Sequence, residues 1–288
     1  MRYAVFTVCT PDLTPVEAVT TLRDLGYDGV EWRVIDQKPS PDGSIGFWSG
    51  NRCTWPLSTF EADAPRIRAM TEAAGLEMPG LGTYPTCDEF PKIEQAMRGA
   101  VALGVAQLRI NVPNYDGNGS YLALRDRSIA QYREVAAMAR SFGLRALVEI
   151  HHAKLLPSAS AAASFAANFD PRHVGVIHDA GNMVHEGHES YRLGLEVLGP
   201  YLALVHLKNA RWLPAETGPD GSTRWKADWA PLPHGIVDIS ALFIALGQVG
   251  YDGWVCFEDF STEQPLVDRL RDNLAYVRTI VDGMGATS

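Results

Sequence analysis

Short apolar runs alternate with longer amphipathic stretches along the whole chain. YAVFTV reads as a strand, and PVEAVTTLRDLG as a helix opened by Thr14 as N-cap, with Pro15 at its first position. GVEWRV is the next strand, and the helix STFEADAPRIRAMTEAAG follows it, capped by Ser58 or Thr59. LEMPGLG carries a weaker strand signal ahead of the helix DEFPKIEQAMRGAVALG. AQLRINV is a strand leading to the long helix YLALRDRSIAQYREVAAMARSFG. Four more strands, RALVEIHH, VGVIHDAGN, LALVHLKN and GWVCFEDF, are separated by helical stretches near SASAAASFAANF, SYRLGLEVLG and DISALFIALGQVG. QPLVDRLRDNLAYVRTIV closes the chain as a helix.

The joints between these units repeat. Leu25-Gly26-Tyr27-Asp28-Gly29 and Val249-Gly250-Tyr251-Asp252-Gly253 each precede a strand, and AAGLEM, ALGVAQ and SFGLRA vary the same theme. Each ends a helix on a glycine that can adopt positive φ and then enters an apolar strand. Strands alternating with helices imply right-handed crossovers and a parallel sheet. Eight such units favour closure into a (β/α)₈ TIM barrel, one domain over residues 1–288. No GxGxxG fingerprint opens a helix, which leaves the Rossmann alternative without support.

Two strand-to-helix connections exceed the usual length, 36–57 and 209–237. Loops longer than about 12–15 residues in a compact domain are commonly functional lids or disordered. Both follow strands, so both are expected to overhang the C-terminal face of the barrel. They hold Trp48, Trp55, Trp212, Trp225 and Trp229, five of the seven tryptophans. Those rings either stack on a substrate face or anchor the loops to the rim.

The last four strands share a further property. Each ends in a polar residue: Glu149, Asp179, His206 and Glu258. In a (β/α)₈ barrel these ends converge on the face where active sites are built. Three carboxylates and one imidazole converging there suit a divalent cation with open positions. Alternation gives Glu149 the inward parity of Leu147, Asp179 that of Ile177, His206 that of Leu204 and Glu258 that of Cys256. His178, Lys208 and Asp259 lie next door and compete for places in the site.

Bulk properties narrow the partners. A net charge of −9 argues against a dominant nucleic-acid or anionic-membrane surface. The four cysteines (Cys9, Cys53, Cys87 and Cys256) form no CxxC pairs, so zinc-ribbon and disulfide scaffolds are poor readings. No run is long enough to span a bilayer, and MRYAVFTV has no signal-peptide layout. The expectation is a reduced, cytoplasmic protein.

The stretch from Glu149 to Asn182, then VHLKNAR, then HGIVD…GYDGWVCFED, together with the opening LTPVEAVTTLRDLGYDGVEWR, resembles the sugar phosphate isomerase/epimerase family. These xylose isomerase-like barrels are related to ketose 3-epimerases, hydroxypyruvate isomerase, inosose dehydratase and endonuclease IV. The resemblance covers essentially the whole chain and is specific for the superfamily, not for the substrate. It implies one divalent ion, Mn²⁺ ahead of Mg²⁺, Co²⁺ or Zn²⁺, held by Glu149, Asp179, His206 and Glu258. It also implies substrate contacts at His152, Arg211 and Glu31.

The implied chemistry is isomerisation or epimerisation of a small sugar-like hydroxy-carbonyl compound. The ion acidifies a C–H as an enediolate forms, and Glu149 and Glu258 remove and return protons. The alternative is a dehydratase or other lyase on a keto-sugar or inosose-like substrate, which begins with the same proton abstraction. Relatives often form dimers or tetramers, so a homo-oligomer is compatible with the resemblance.

Two departures narrow it. Ketose 3-epimerases carry a histidine three positions after the aspartate ligand, where this chain has Asn182. Endonuclease IV needs extra histidines at the third and fourth strand ends, and GLGTYP and RINVPN have none. His185 and His188, beyond Asp179, are expected to be solvent-exposed.

Overall fold

Thr14 opens the first helix as its sequence implies. Its hydroxyl accepts from the Glu17 N–H while the Glu17 carboxylate accepts from the Thr14 N–H, a reciprocal capping box with Pro15 in the first turn. The Ser58/Thr59 expectation holds in position only: Thr59 is the N-cap residue, but its side chain makes no capping bond. Helix α2 starts after Thr59, whose hydroxyl donates to the Asp63 carboxylate instead, and Ser58 bonds to Asp36. Both hydroxyls are drawn off by nearby carboxylates that outcompete backbone N–H groups.

The computed structural model describes residues 1–285, so the last three residues of the expected span lie outside the described residues. In chain order the elements are β1 (Arg2–Phe6), α1 (Pro15–Leu25), β2 (Gly29–Val34), β3 (Thr54–Trp55), α2 (Phe60–Ala73), β4 (Leu81–Thr83) and α3 (Phe90–Leu103). Next come β5 (Gln107–Arg109), α4 (Tyr121–Phe142), β6 (Arg145–Glu149), α5 (Ala159–Ala166), β7 (Val174–Asp179), α6 (Ala180–Met183) and α7 (Tyr191–Leu198). The chain ends with β8 (Leu202–Leu207), β9 (Asn209–Thr217), β10 (Thr223–Ala230), α8 (Ile239–Gln248), β11 (Trp254–Phe257) and α9 (Leu266–Gly285). The joint glycines Gly26, Gly75, Gly104, Gly143 and Gly250 all take positive φ, as the repeated joint requires. The weak LEMPGLG signal yields only the three-residue β4, preceded by one isolated bridge between Gly29 and Glu77.

Strands β1, β2, β4, β5, β6, β7, β8 and β11 pair in parallel in that order. β1 pairs with β11 on one side (Tyr3 opposite Val255) and with β2 on the other (Val5 opposite Val30), closing a (β/α)₈ TIM barrel. The interior is layered. Ala4, Leu147, Ile177, Leu204 and Cys256 form a buried apolar cluster of their own, separate from the large core between barrel and helices. The last four are the inward positions that alternation assigns, and each precedes one of the four strand-end residues by two. A dry apolar plug therefore underlies the polar layer.

Phe6, two residues above Ala4, reaches that polar layer, with its ring 5.5 Å from the His206 ring. Gly82 makes room for it. A Cβ there would lie 2.1 Å from the tip of the Phe6 ring, so any larger residue requires that ring to shift.

The two long connections differ from each other. Residues 36–57 are largely irregular and end in the two-residue β3, which pairs with β2. The 209–237 connection is not an irregular loop. β9 and β10 form an antiparallel hairpin with a register shift at Arg224/Trp225. Asn209 anchors its base: the Asn209 amide donates to Leu232 O (2.7 Å) and Val237 O (3.0 Å), and its carbonyl accepts from Val237 N (2.9 Å).

Candidate metal centre

The ends of four consecutive strands bring Glu149, Asp179, His206 and Glu258 together. One donor atom from each lies within 4.8 Å of the others, and all four residues are buried. Glu149 and Asp179 are the last residues of β6 and β7, His206 is next to last in β8, and Glu258 follows β11 directly. The His206 Nδ1 faces the cluster, 3.1 Å from Glu149 Oε1 and 3.7 Å from Glu258 Oε2. Its Nε2 faces away, 2.9 Å from Glu31 Oε2.

Each member is held from outside the cluster. The Asp179 carboxylate accepts from the Asn182 N–H and from the Asn182 amide, both at 2.9 Å, and so caps the short α6. The other face of the Asn182 amide accepts from His152 Nδ1 at 3.0 Å. Arg109 donates to Glu149 Oε2 at 2.6 Å and stacks on Tyr84, with Thr83 O on its Nε. The Lys208 ammonium bridges Asp179 Oδ2, at 2.6 Å, and Glu258 Oε2.

The electrostatics follow from burial set against these partners. Burial pushes the Glu149 carboxyl up, but the Arg109 guanidinium and His206 outweigh it and hold the group well below the usual range. Burial likewise pushes Asp179 up, only partly offset by Lys208. Glu258 rises to about 7, since burial together with the Glu149 and Asp179 charges outweighs Lys208 and His206. His206 is driven down by burial and then well above its ordinary value by Glu31, Glu149 and Glu258. Three carboxylates crowded in a dry site raise one another's cost of ionisation, and a cation relieves it. Three hard oxygens, one imidazole nitrogen and a carboxylate behind that imidazole together make a donor set that fits a divalent ion.

Above the cluster opens a cavity of about 410 Å³, lined by Glu149 and Glu258, by Arg109, Lys154, Lys208, His151 and His152, and by an aromatic wall that includes Trp48, Trp229 and Phe260. That volume is within the range of small-molecule sites. Of the expected substrate contacts, His152 lines the cavity and Glu31 and Arg211 do not. Glu31 is fully buried behind His206. Arg211 sits on β9 and is paired with Glu263 at 2.7 Å.

The loop tryptophans divide as well. Trp48 and Trp229 line the cavity, Trp55 packs edge-on against Trp32, Trp212 donates to Val184 O, and Trp225 is exposed. His188 is exposed as expected. His185 is half-buried and stacks on His152 with ring centroids 3.9 Å apart. Sequence reasoning passed over Arg109 and Lys154. Arg109 left a signal, as a charged residue inside an apolar strand, opposite inward-facing Leu147.

A closed parallel barrel with a carboxylate–imidazole cluster at its C-terminal face defines the class. The chain belongs to the xylose isomerase-like TIM barrel family, whose model matches residues 19–280. No curated protein sequence matches it. Among solved structures it is similar to the 3-keto-D-glucoside 4-epimerase YcjR from E. coli (16% identity, 97% of this chain and 99% of that one, TM-score 0.71). It is also similar to the probable 3-DHS dehydratase AsbF from Bacillus anthracis (15%, 96% and 99%, TM-score 0.71). A third is a xylose isomerase-like TIM barrel protein from Mycobacterium smegmatis in complex with magnesium (16%, 97% and 96%, TM-score 0.67). At these identities the likeness shows the shared fold. No helix among the described residues is long and apolar enough to cross a membrane.

Proposed function

We propose that this protein is a divalent-metal-dependent isomerase or epimerase of a small sugar-like hydroxy-carbonyl compound. One observation carries the reading. Of the four clustered residues, Glu149 and Glu258 also line the cavity, whereas Asp179 and His206 lie beneath it. Two residues thus have the position for proton transfer with a substrate, and two have the position for holding an ion alone.

Glu149, Asp179, His206 and Glu258 would hold the ion, with Mn²⁺ first among Mg²⁺, Co²⁺ and Zn²⁺. When bound, it acidifies the C–H between a carbonyl and a neighbouring hydroxyl. One of Glu149 and Glu258 then takes the carbon-bound proton, and the other returns a proton to the carbon. Arg109 keeps Glu149 ionised and fixed in rotamer, whereas Lys208 fixes Glu258 in place without bringing its carboxyl, raised to about 7, back to the usual range. His152, oriented by Asn182, supplies a hydrogen bond to the substrate. Trp48, Trp229 and Phe260 give the apolar wall that excludes water. Glu31 orients His206 and does not touch the substrate.

A dehydratase is the second reading. It is favoured by the Glu258 carboxyl on the cavity wall, raised to about 7, which could return the abstracted proton to a departing hydroxide. The test is incubation of the Mn²⁺-loaded protein with hydroxy-carbonyl sugars in D₂O. Deuterium at the carbon next to the carbonyl, with composition otherwise unchanged, supports the isomerase or epimerase. Loss of water supports the dehydratase. No exchange across a panel of ketoses, keto-glycosides and inososes, with metal bound, rejects both.

A further inference from the structure

Among the cations that line the cavity, Lys154 differs from the rest. Arg109 is committed to Glu149, and Lys208 to Asp179 and Glu258. Lys154 is half-buried, and among the described residues its ammonium has no hydrogen-bond or ion-pair partner. Arg109 repels it and Glu149 attracts it, and burial pushes its ammonium down. An unpaired cation on a cavity wall is costly unless something else pairs with it.

Its position is also fixed at a cost. Ala153, between His152 and Lys154, has φ +56°, a left-handed conformation that a non-glycine residue rarely takes. The turn is clamped on both sides. The Ala153 N–H donates to Glu186, the Ala153 carbonyl accepts from the Tyr115 N–H at 3.0 Å, and the Leu155 N–H donates to Pro113 O at 3.1 Å. Lys154 therefore cannot retreat from the cavity by a simple swing of its loop.

The charge count points the same way. With an ion bound, His206 neutral and Glu258 ionised, the three cations Arg109, Lys154 and Lys208 face the four carboxylates Glu31, Glu149, Asp179 and Glu258. One net negative charge remains, and a divalent ion turns it into one net positive charge, which is unmatched.

We infer that the cavity selects a substrate bearing one anionic group, a carboxylate or a phosphate, and that Lys154 binds that group. This rests on the proposed function, since it takes the ion as bound, and it adds the class of substrate. The spare positive charge would also steady the anion formed during proton transfer, and only a preference for anionic ligands before any reaction separates the two roles.

The test is calorimetric titration of Mn²⁺-loaded protein with D-glucose, D-glucuronate and D-glucose 6-phosphate, after Mn²⁺ uptake has been measured on the same sample. The expected result is that one of the two anions binds about tenfold or more tightly than glucose, the effect of one charged hydrogen bond. Which anion it is identifies the group. In Lys154→Met the preference disappears while glucose affinity stays within about twofold, and in Lys154→Arg it is largely retained. Equal binding of all three, binding of none, or a preference that survives Lys154→Met overturns the inference. The wild-type comparison decides even if the variants fold poorly. Failure to take up Mn²⁺ at all would instead overturn the proposed function.

Discussion

Replacing Glu31 by Gln tests how the cluster is supported. Glu31 is fully buried, and its Oε2 lies 2.9 Å from His206 Nε2, on the far side of the ring from the cluster. A carboxylate there would keep the proton on Nε2, leave the Nδ1 lone pair free to hold the proposed ion and make that nitrogen more basic. Gln keeps the size and can still accept from Nε2–H, but it lacks the charge, and no water reaches this ring to replace it. Changes behind a metal-bound imidazole typically cost 10–100-fold in metal affinity, about 1.4–2.7 kcal/mol.

Mn²⁺ titration by calorimetry, or competition with a chelating dye, reads this directly. Thermal unfolding at fixed Mn²⁺ should show a midpoint a few degrees lower than wild type, because less binding free energy is linked to folding. A Mn²⁺ affinity within about twofold of wild type, combined with a raised KM, would refute the reasoning. It would return Glu31 to the substrate-contact role that family resemblance implies.

Other outcomes follow from the same geometry. Glu149→Gln and Glu258→Gln should each lower kcat by about 10²–10⁴-fold in the D₂O exchange assay, the usual range for a lost acid or base. Asn209→Ala removes four buried side-chain hydrogen bonds at the base of the β9–β10 hairpin, one of them to its own neighbour Ala210. It should cost about 2–4 kcal/mol in urea unfolding and speed amide exchange across 209–237; a loss below about 0.5 kcal/mol would show that the hairpin holds itself.

Burial holds His151 near 3, His178 and His185 near 4, and His152 below its ordinary value. The folded state keeps these rings neutral while the unfolded chain protonates them near pH 6.5. Stability should therefore fall as pH drops from about 6.5 toward 4, by at most about 1.4 kcal/mol per pH unit for each histidine and less for the half-exposed ones. His185→Phe should flatten that slope in urea melts across this range.

The barrel was legible because its signals are periodic and local. Apolar strands recur in every unit and left-handed glycine joints in five of them, and a two-residue side-chain period puts Glu149, Asp179, His206 and Glu258 one layer above Leu147, Ile177, Leu204 and Cys256. What was not legible depends on partners distant in sequence. The hairpin at 209–230 is mostly exposed and polar, so it lacks an apolar alternation, and its register depends on Asn209 bonding to residues 23 and 28 positions away. Glu31 reads as a rim residue until the closing of the barrel brings it against His206, 175 positions later. Lys154 leaves no pattern at all, since its place is set by the turn at Ala153 and not by a strand or helix period.

The carboxylates around the proposed ion already have part of their charge offset by cations of the chain. Arg109 serves Glu149, Lys208 serves Asp179 and Glu258, and the His206 imidazole serves Glu31. Folding thereby does not require the ion, in contrast to small domains that collapse only around theirs, although a bound ion would still add stability. Such a protein can leave the ribosome folded and wait for its cofactor. A mixed oxygen and nitrogen donor set accepts most first-row divalent ions, so under the proposed function the ion would be set by the relative abundance of ions in the surrounding pool. The same barrel would then report the metal economy of the cell that makes it.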